Sequence, residues 1–353
     1  LKRDRTSELY QRVKSKVDYF LSITSEGSNT TVRYLSGFTG DTGCVIVGEK
    51  ERFLLVDSRF YTQASEESNF EMVKVENASL VKKAIEILKG KTVGIEGSRF
   101  FYSWYKELSD QVKIEDVEEE VSAIRAVKDD EEVEKIRKAI KVAENALTKT
   151  LERFRIGMTE KEFAAILEYE MKTNGASKPS FDTIVASGYR GALPHGLASD
   201  KKIESGEMLV VDFGSLVDGY CSDLTRTFAV GKVSQEEKDA YDAVLQAQLT
   251  AIERSKAGIP GKEIDSYARN FLKEKKLDSY FGHGLGHGLG MDVHESPFLN
   301  TRYDKPINDR VVITFEPGVY IPGKFGIRIE DDVLLTENGH EVLSNFKKTF
   351  TVI

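Results

Sequence analysis

Cysteine is almost absent from this chain. Its 353 residues hold two, Cys44 and Cys221, far apart and in no metal-binding spacing. That pattern excludes a disulfide framework and a thiolate zinc site, and leaves two reduced thiols acting as small buried hydrophobes. Positive charge is also in deficit: 50 Lys and Arg stand against 58 Asp and Glu, for a formal charge of −8 and a pI near 5.4. With no basic tail and no long Lys/Arg run, a nucleic-acid or anionic-membrane partner is disfavoured, and small molecules or peptides are the expected substrates. No segment approaches the roughly 18 uninterrupted apolar residues of a membrane span. No apolar stretch follows the charged opening Leu1-Lys2-Arg3-Asp4-Arg5, so a cytoplasmic protein is expected. Histidine is scarce too, five in all.

What is present fits a folded, soluble chain of two domains. The hydrophobic fraction is 40% and the charged fraction 31%, and the length allows two sizeable cores. Residues 1–120 alternate strand and helix patterns. Val17 to Ile23, Gly43 to Val47, Arg52 to Asp57 and Thr92 to Glu96 read as strands, and Leu80 to Leu88 as an amphipathic helix. The turn-rich, aromatic segments Tyr34 to Gly40 and Asp57 to Tyr61 read as loops. The acidic run around Asp116 to Glu120 is expected to connect this smaller N-terminal α/β domain to a second domain, residues 121–353. The second domain opens with Asp129-Asp130-Glu131-Glu132, negative charge where a helix N-terminus favours it.

The second domain repeats itself. Gly157-Met158-Thr159-Glu160-Lys161-Glu162-Phe163 matches Gly258-Ile259-Pro260-Gly261-Lys262-Glu263-Ile264 at an offset of 101 residues. The acids Asp212 and Asp223 are matched by Glu316 and Glu330 at similar offsets. Two related halves are expected, each running helix, helix, loop, strand hairpin, with the acid pairs on facing hairpins.

Between those pairs lies the chain's densest histidine cluster: His283, His287 and His294 within Gly282 to Glu295. The glycines at 282, 284, 286, 288 and 290 do not fit the dinucleotide fingerprint, and taken alone read as a flexible loop. A turn near Val217-Asp218-Gly219 would place Asp212 directly opposite Asp223, with Cβ atoms roughly 5 Å apart. A turn centred on Gly323 places Glu316 opposite Glu330 in the same way. Like charges so close require a cation between them. Four carboxylates and one imidazole are balanced by two divalent ions, and a mainly oxygen donor set with one nitrogen favours Mn2+, with Co2+ or Zn2+ as alternatives.

These residues are also where the chain resembles a known family. Asp212 in Val211-Asp212-Phe213-Gly214, Asp223 in Ser222-Asp223-Leu224-Thr225-Arg226-Thr227, His287 in His283-Gly284-Leu285-Gly286-His287, Glu316 in Phe315-Glu316-Pro317-Gly318 and Glu330 in Arg328-Ile329-Glu330-Asp331 resemble the five ligands of the pita-bread dinuclear metallopeptidases. The aminopeptidase P and prolidase branch is the most similar. The resemblance covers essentially the whole chain and implies a creatinase/prolidase-like N-terminal domain before a pita-bread catalytic domain with pseudo-twofold halves. It implies that Asp212 chelates one metal, that His287 and Glu316 hold the other, and that Asp223 and Glu330 bridge them. A hydroxide between the metals would be the nucleophile and Glu316 the proton shuttle. By the same resemblance His294 would donate to the developing oxyanion, His195 in Leu193-Pro194-His195-Gly196 would shape the site near the leaving residue, and His283 and Arg328 would contact substrate. His340, in a polar turn, gets no role. The resemblance further implies a homodimer.

The expected activity is cleavage of the Xaa-Pro bond, a tertiary amide whose ring restricts φ and which lacks an N–H. Release of the first residue from longer peptides is the first expectation and dipeptide cleavage, as in prolidase, the alternative. Metal-free creatinase-like enzymes and metal-free binding modules share the fold, but here the ligand set is complete.

Overall fold

The computed structural model describes residues 3–353. The chain divides into two compact units, one ending at Arg125 and the other running from Ala126 to Ile353.

The first unit is built on a six-stranded mixed sheet. Its strands Tyr19–Thr24, Gly43–Val47, Arg52–Asp57, Glu71–Val75, Thr92–Ile95 and Lys113–Asp116 lie in the order 4-3-2-1-5-6 by place in the chain. The first three pair antiparallel, and the pairs 3-4, 1-5 and 5-6 are parallel. Parallel neighbours need crossovers, which helices such as Tyr61–Glu67 and Tyr102–Ser109 supply. Helix Leu80–Leu88 buries Val81, Ala84 and Leu88, one stripe at helical spacing, and starts where the Ser79 hydroxyl accepts from the Lys82 N–H. The acidic run expected to be a connection is the first turn of helix Glu118–Ala126, where Asp116 accepts from the Glu118 N–H at 2.9 Å. Its Val121 and Ile124 are fully buried, which ties the run into the unit.

The second unit consists of two helix–helix–hairpin halves. Helices Asp130–Glu152 and Glu160–Thr173 precede the first hairpin, and Gln235–Glu253 and Gly261–Glu274 the second. Three of the four start with a complete capping box: Asp129 with Glu132, Thr159 with Glu162, and Ser234 with Glu237. In the second half Ala240, Val244, Ala247 and Ala251 share one buried cluster with Ile264, Ala268 and Leu272 and with Ile313, Phe315, Ile327 and Ile329 of the hairpin.

The registers of the two hairpins decide where the acids fall. In the first, Asp212 lies opposite Thr225, Phe213 opposite Leu224 and Val217 opposite Tyr220. The turn is therefore Asp218-Gly219, with φ of 52° and 86°, the two-residue type I′ geometry that suits a twisted hairpin. This moves the turn centre by one residue and the expected pairing by two: Asp223 comes level with Gly214, diagonal to Asp212 on the same face. In the second hairpin Gly318 pairs with Arg328 and Ile321 with Phe325, and farther out Phe315 pairs with Asp331. Glu316 is thus level with Glu330 about Gly323, as expected from the turn.

Both hairpins lose their ladder at Asp223, Glu316 and Glu330, whereas Asp212 stays paired with Thr225 and Ile184. The first breaks at Ser222-Asp223, between strands Tyr220–Cys221 and Leu224–Val230. The second breaks at Ile329-Glu330, between Phe325–Arg328 and Asp331–Thr336, beside Pro317, which has no N–H to give. The freed groups join the hairpins to each other. The Glu330 N–H donates to the Thr225 carbonyl at 3.1 Å, the Thr227 hydroxyl to the Arg328 carbonyl at 2.8 Å, and the Asp223 N–H to the Asp332 carboxylate at 3.1 Å.

Candidate metal centre

The glycines around His287 belong to a strand, not to a flexible loop. Gly286–Gly288 pairs with Glu295–Leu299 on one side and with Val311–Phe315 on the other. A Cβ at Gly286 would lie 1.8 Å from the Thr314 carbonyl oxygen, and one at Gly288 would lie 2.6 Å from that of Ser296. Only glycine lets the neighbouring strands approach this closely, and the approach sets the His287 ring against the acids.

His287 Nδ1 lies 3.2 Å from the Gly288 carbonyl. With Nδ1–H donating there, Nε2 is the nitrogen that faces the acids. It lies 3.4 Å from Glu316 Oε1 and 3.6 Å from Asp223 Oδ2. Donor atoms of Asp223, His287 and Glu330 all lie within 4.8 Å of one another. Glu316 and Asp212 border the same cavity, of about 730 Å³, without belonging to that tight trio.

The electrostatics are those of uncompensated charge. Burial pushes the Asp223 carboxyl far above the usual range, and the nearby Glu330 and Asp212 carboxylates push it farther. Glu330 is raised in the same way, by burial and then by Glu316 and Asp212. Burial also raises Asp212, although the Arg328 guanidinium opposes it. Glu316 is the exception: burial acts upward, but its hydrogen bond to His287 and the nearby cations outweigh it and leave the carboxyl low. His287 moves up because the bond to Glu316 outweighs burial. Asp212 Oδ1 and Asp332 Oδ1 are buried with no hydrogen-bond partner among the described residues. Mutually repelling buried acids, an imidazole nitrogen turned toward them and an orphaned carboxylate oxygen are the donor set that divalent cations satisfy, so the residues present fit such ions.

The remaining predicted residues surround this centre. Arg328 donates to Asp212, to the Thr225 hydroxyl at 3.1 Å, to the Pro194 carbonyl at 3.0 Å and to the Tyr320 hydroxyl at 2.8 Å. His283 Nδ1 lies 2.7 Å from the Gly284 carbonyl and Nε2 lies 2.9 Å from the Tyr320 hydroxyl. An ordered chain thus runs from Arg328 through Tyr320 to His283. Burial pushes the Tyr320 hydroxyl up to about 12, so it stays a proton donor. His294 packs edge-on to His287 at 4.3 Å between ring centroids, and burial followed by the neighbouring His287 lowers its pKa. His195 lines the same cavity from the loop before Gly196. His340 lies elsewhere, its Nδ1 3.3 Å from the Ser255 carbonyl. Cys221 is buried, its thiol pushed up to about 12 and inert.

Sequence reasoning missed Tyr320, although it stands four residues after Glu316, and the cavity walls Phe181, Asp182, Phe281, Phe298 and Arg302. No local pattern marks those walls, which come from four separate parts of the chain.

Comparison with known proteins identifies the architecture. The model of metallopeptidase family M24 matches residues 134–337, and that of the Creatinase/Prolidase N-terminal domain matches 5–127. The chain belongs to metallopeptidase family M24. Among curated relatives of this M24 peptidase, the Xaa-Pro dipeptidase of Pyrococcus horikoshii is 42% identical over 91% of this chain and 92% of its own. Among solved structures, the X-Pro aminopeptidase of Thermotoga maritima is 44% identical with a TM-score of 0.90, covering 97% of this chain and 100% of its own. The prolidase of P. horikoshii is 38% identical with a TM-score of 0.92, covering 99% and 100%. The fold is the pita-bread arrangement, with a creatinase-type N-terminal domain before the catalytic one. Of the two expected activities, these relatives back the prolidase alternative better than the aminopeptidase. Among the described residues no helix is long and apolar enough to cross a membrane.

Proposed function

We propose that this M24 peptidase hydrolyses the Xaa-Pro bond of dipeptides, using Asp212, Asp223, His287, Glu316 and Glu330 to hold two divalent ions, Mn2+ foremost. The observation that carries the reading is the buried group of Asp223, His287 and Glu330, with donor atoms within 4.8 Å in a cavity large enough for a dipeptide. Ions held there would supply Lewis acidity, polarising the scissile carbonyl and making water acidic enough to attack at neutral pH. Glu316, beside the site where water would attack, takes a proton from the attacking water and passes it to the leaving proline nitrogen. His294, kept neutral by burial, offers an N–H to the oxygen that gains charge. Arg328 holds Asp212 and, through Tyr320, the His283 ring. His195 borders the leaving residue.

Preference for dipeptides is supported by two curated Xaa-Pro dipeptidases at 42% identity, and by Arg302. That residue lines the cavity, and its guanidinium makes no hydrogen bond or ion pair among the described residues. A dipeptide presents a free carboxylate close to the scissile bond, which a guanidinium pairs well. The X-Pro aminopeptidase at 44% identity keeps cleavage of longer peptides as the second reading. The family resemblance supports a homodimer in the cytoplasm. A panel of Leu-Pro, Leu-Pro-Gly and Leu-Ala with Mn2+ tests substrate choice: Leu-Pro should be cut fastest and Leu-Ala slowest. Faster cleavage of the tripeptide would return the aminopeptidase reading.

A further inference from the structure

A carboxylate away from the metal centre holds the loop that carries His195. Glu160 opens helix Glu160–Thr173 and is wholly buried. It accepts five hydrogen bonds: from the Ser187 N–H at 2.8 Å and hydroxyl at 3.0 Å, from Arg190 Nε at 2.9 Å, and from the Ser199 N–H at 3.1 Å and hydroxyl at 2.6 Å. A buried carboxylate is retained only where its lone pairs are filled, and here all the donors come from one segment. Ser187 and Ser199 are the two ends of the loop, and Arg190 lies within it. Arg190 carries the connection onward, since its Nη2 donates to the Leu197 carbonyl at 2.6 Å, two residues past His195.

The side chains of the loop face largely outward, and its backbone packs against strand Phe325–Arg328. Tyr189, Leu193 and Leu197 are 58%, 51% and 54% exposed. Its own backbone bonds are short-range, such as Gly196 N–H to the Leu193 carbonyl. Outside contacts include the Arg328 bond to Pro194, the bridge between Ile184 and Leu197, and the close backbone approach of Gly191 to Gly326. The His195 ring makes no hydrogen bond among the described residues, so its place depends on the backbone of the loop that carries it.

We propose that Glu160 is a positioning residue for His195, clamping both ends and the middle of the substrate-lip loop so that the imidazole meets the substrate in one place. The proposal rests on the reading that His195 contacts substrate. Displacing such a group by about 1 Å can cost up to a hundredfold in rate. Glu160→Gln keeps the shape, but its amide nitrogen can no longer accept from Arg190 or Ser199.

A double-mutant cycle on Leu-Pro hydrolysis with Mn2+ tests this, using Glu160→Gln, His195→Ala and the pair. Melting midpoint, metal content and amide exchange are measured on each. Glu160→Gln should lower kcat/KM about 10- to 30-fold with metal content unchanged and faster amide exchange confined to residues 188–198. The double variant should be no slower than His195→Ala alone, because a misplaced ring that is already absent costs nothing more. Losses that multiply, or full activity in Glu160→Gln, would overturn the proposal. Full activity in His195→Ala would instead remove the role of His195, and the proposal with it. Should Glu160→Gln fail to fold, Ser199→Ala takes its place in the same cycle. It removes one donor, and the same non-additivity is expected of it.

Discussion

At the scale of single residues, Asp223 carries the strongest conflict in the molecule. It is buried against Glu330 and Asp212, and the one imidazole beside it, His287 at 3.6 Å, is shared with Glu316. The stability of the metal-free protein and the function of the loaded one should therefore respond in opposite directions to its removal. Asp223→Asn is expected to lower metal-dependent turnover at least about a thousandfold, while raising the unfolding free energy of the chelated protein by about 1–3 kcal/mol. Denaturant titration of the chelated variant checks the second half, and a lower midpoint would contradict it. Asp212 differs in having Arg328 as a partner. That pairing was not legible in the sequence, where the resemblance implied only a substrate contact for Arg328, because 116 residues separate the two. The cluster of three histidines, by contrast, was visible at once, yet spacing alone did not divide it. The structure does: His287 Nε2 faces acids, whereas His283 is tied to Tyr320 and His294 stacks beside His287.

At the scale of elements, the hairpins turn sequence into geometry. The second was legible to the residue, because the chain reverses about Gly323 and Glu316 falls opposite Glu330. In the first the pairing was off by two residues. Asp-Gly prefers the two central positions of a type I′ turn, and this preference for positive φ, not the midpoint between the acids, sets the register. Gly219, at φ 86°, should therefore resist substitution: Gly219→Ala is expected to cost about 1 kcal/mol. Gly286→Ala should cost more, about 3 kcal/mol or greater, since its Cβ would meet the Thr314 carbonyl oxygen at 1.8 Å. It should also lower bound metal, which melting curves and elemental analysis together would show. Of the glycine run that read as a loop, Gly286 and Gly288 lie in a strand, because period and composition do not report how closely neighbouring backbones approach. Helix Arg5–Val13 offers a pH test in the first unit. Its N-cap Asp4 accepts from Ser7, and those bonds hold its carboxyl at about 2. A lowered folded-state pKa means stabilisation present above the unfolded value and lost as pH falls through the folded one. Asp4→Ala should cost about 1 kcal/mol near pH 7, and the gap between variant and parent should narrow as pH falls from about 4 toward about 2. An unchanged gap would contradict the assignment.

At the scale of the whole molecule, metal and fold are linked. Ions that bind only the folded centre stabilise it by mass action, by about 2.7 kcal/mol at a hundred times the dissociation constant. Chelation should lower the melting midpoint of the catalytic unit by about 5–10 °C, and re-added Mn2+ should restore it. The strands and helix between residues 17 and 96 were readable from patterning, because hydrophobic periodicity is a local signal. The cavity was not, since its walls converge from Phe181, Phe281, Phe298 and Arg302, residues that only the completed fold brings together. The central claim, metal-dependent cleavage of an Xaa-Pro dipeptide, is tested most directly by the rate of Leu-Pro hydrolysis by chelated protein as Mn2+ is titrated back. The account predicts no measurable rate without metal and recovery that saturates near two ions per chain. Hydrolysis that survives complete chelation, or recovers with no metal bound, would contradict it.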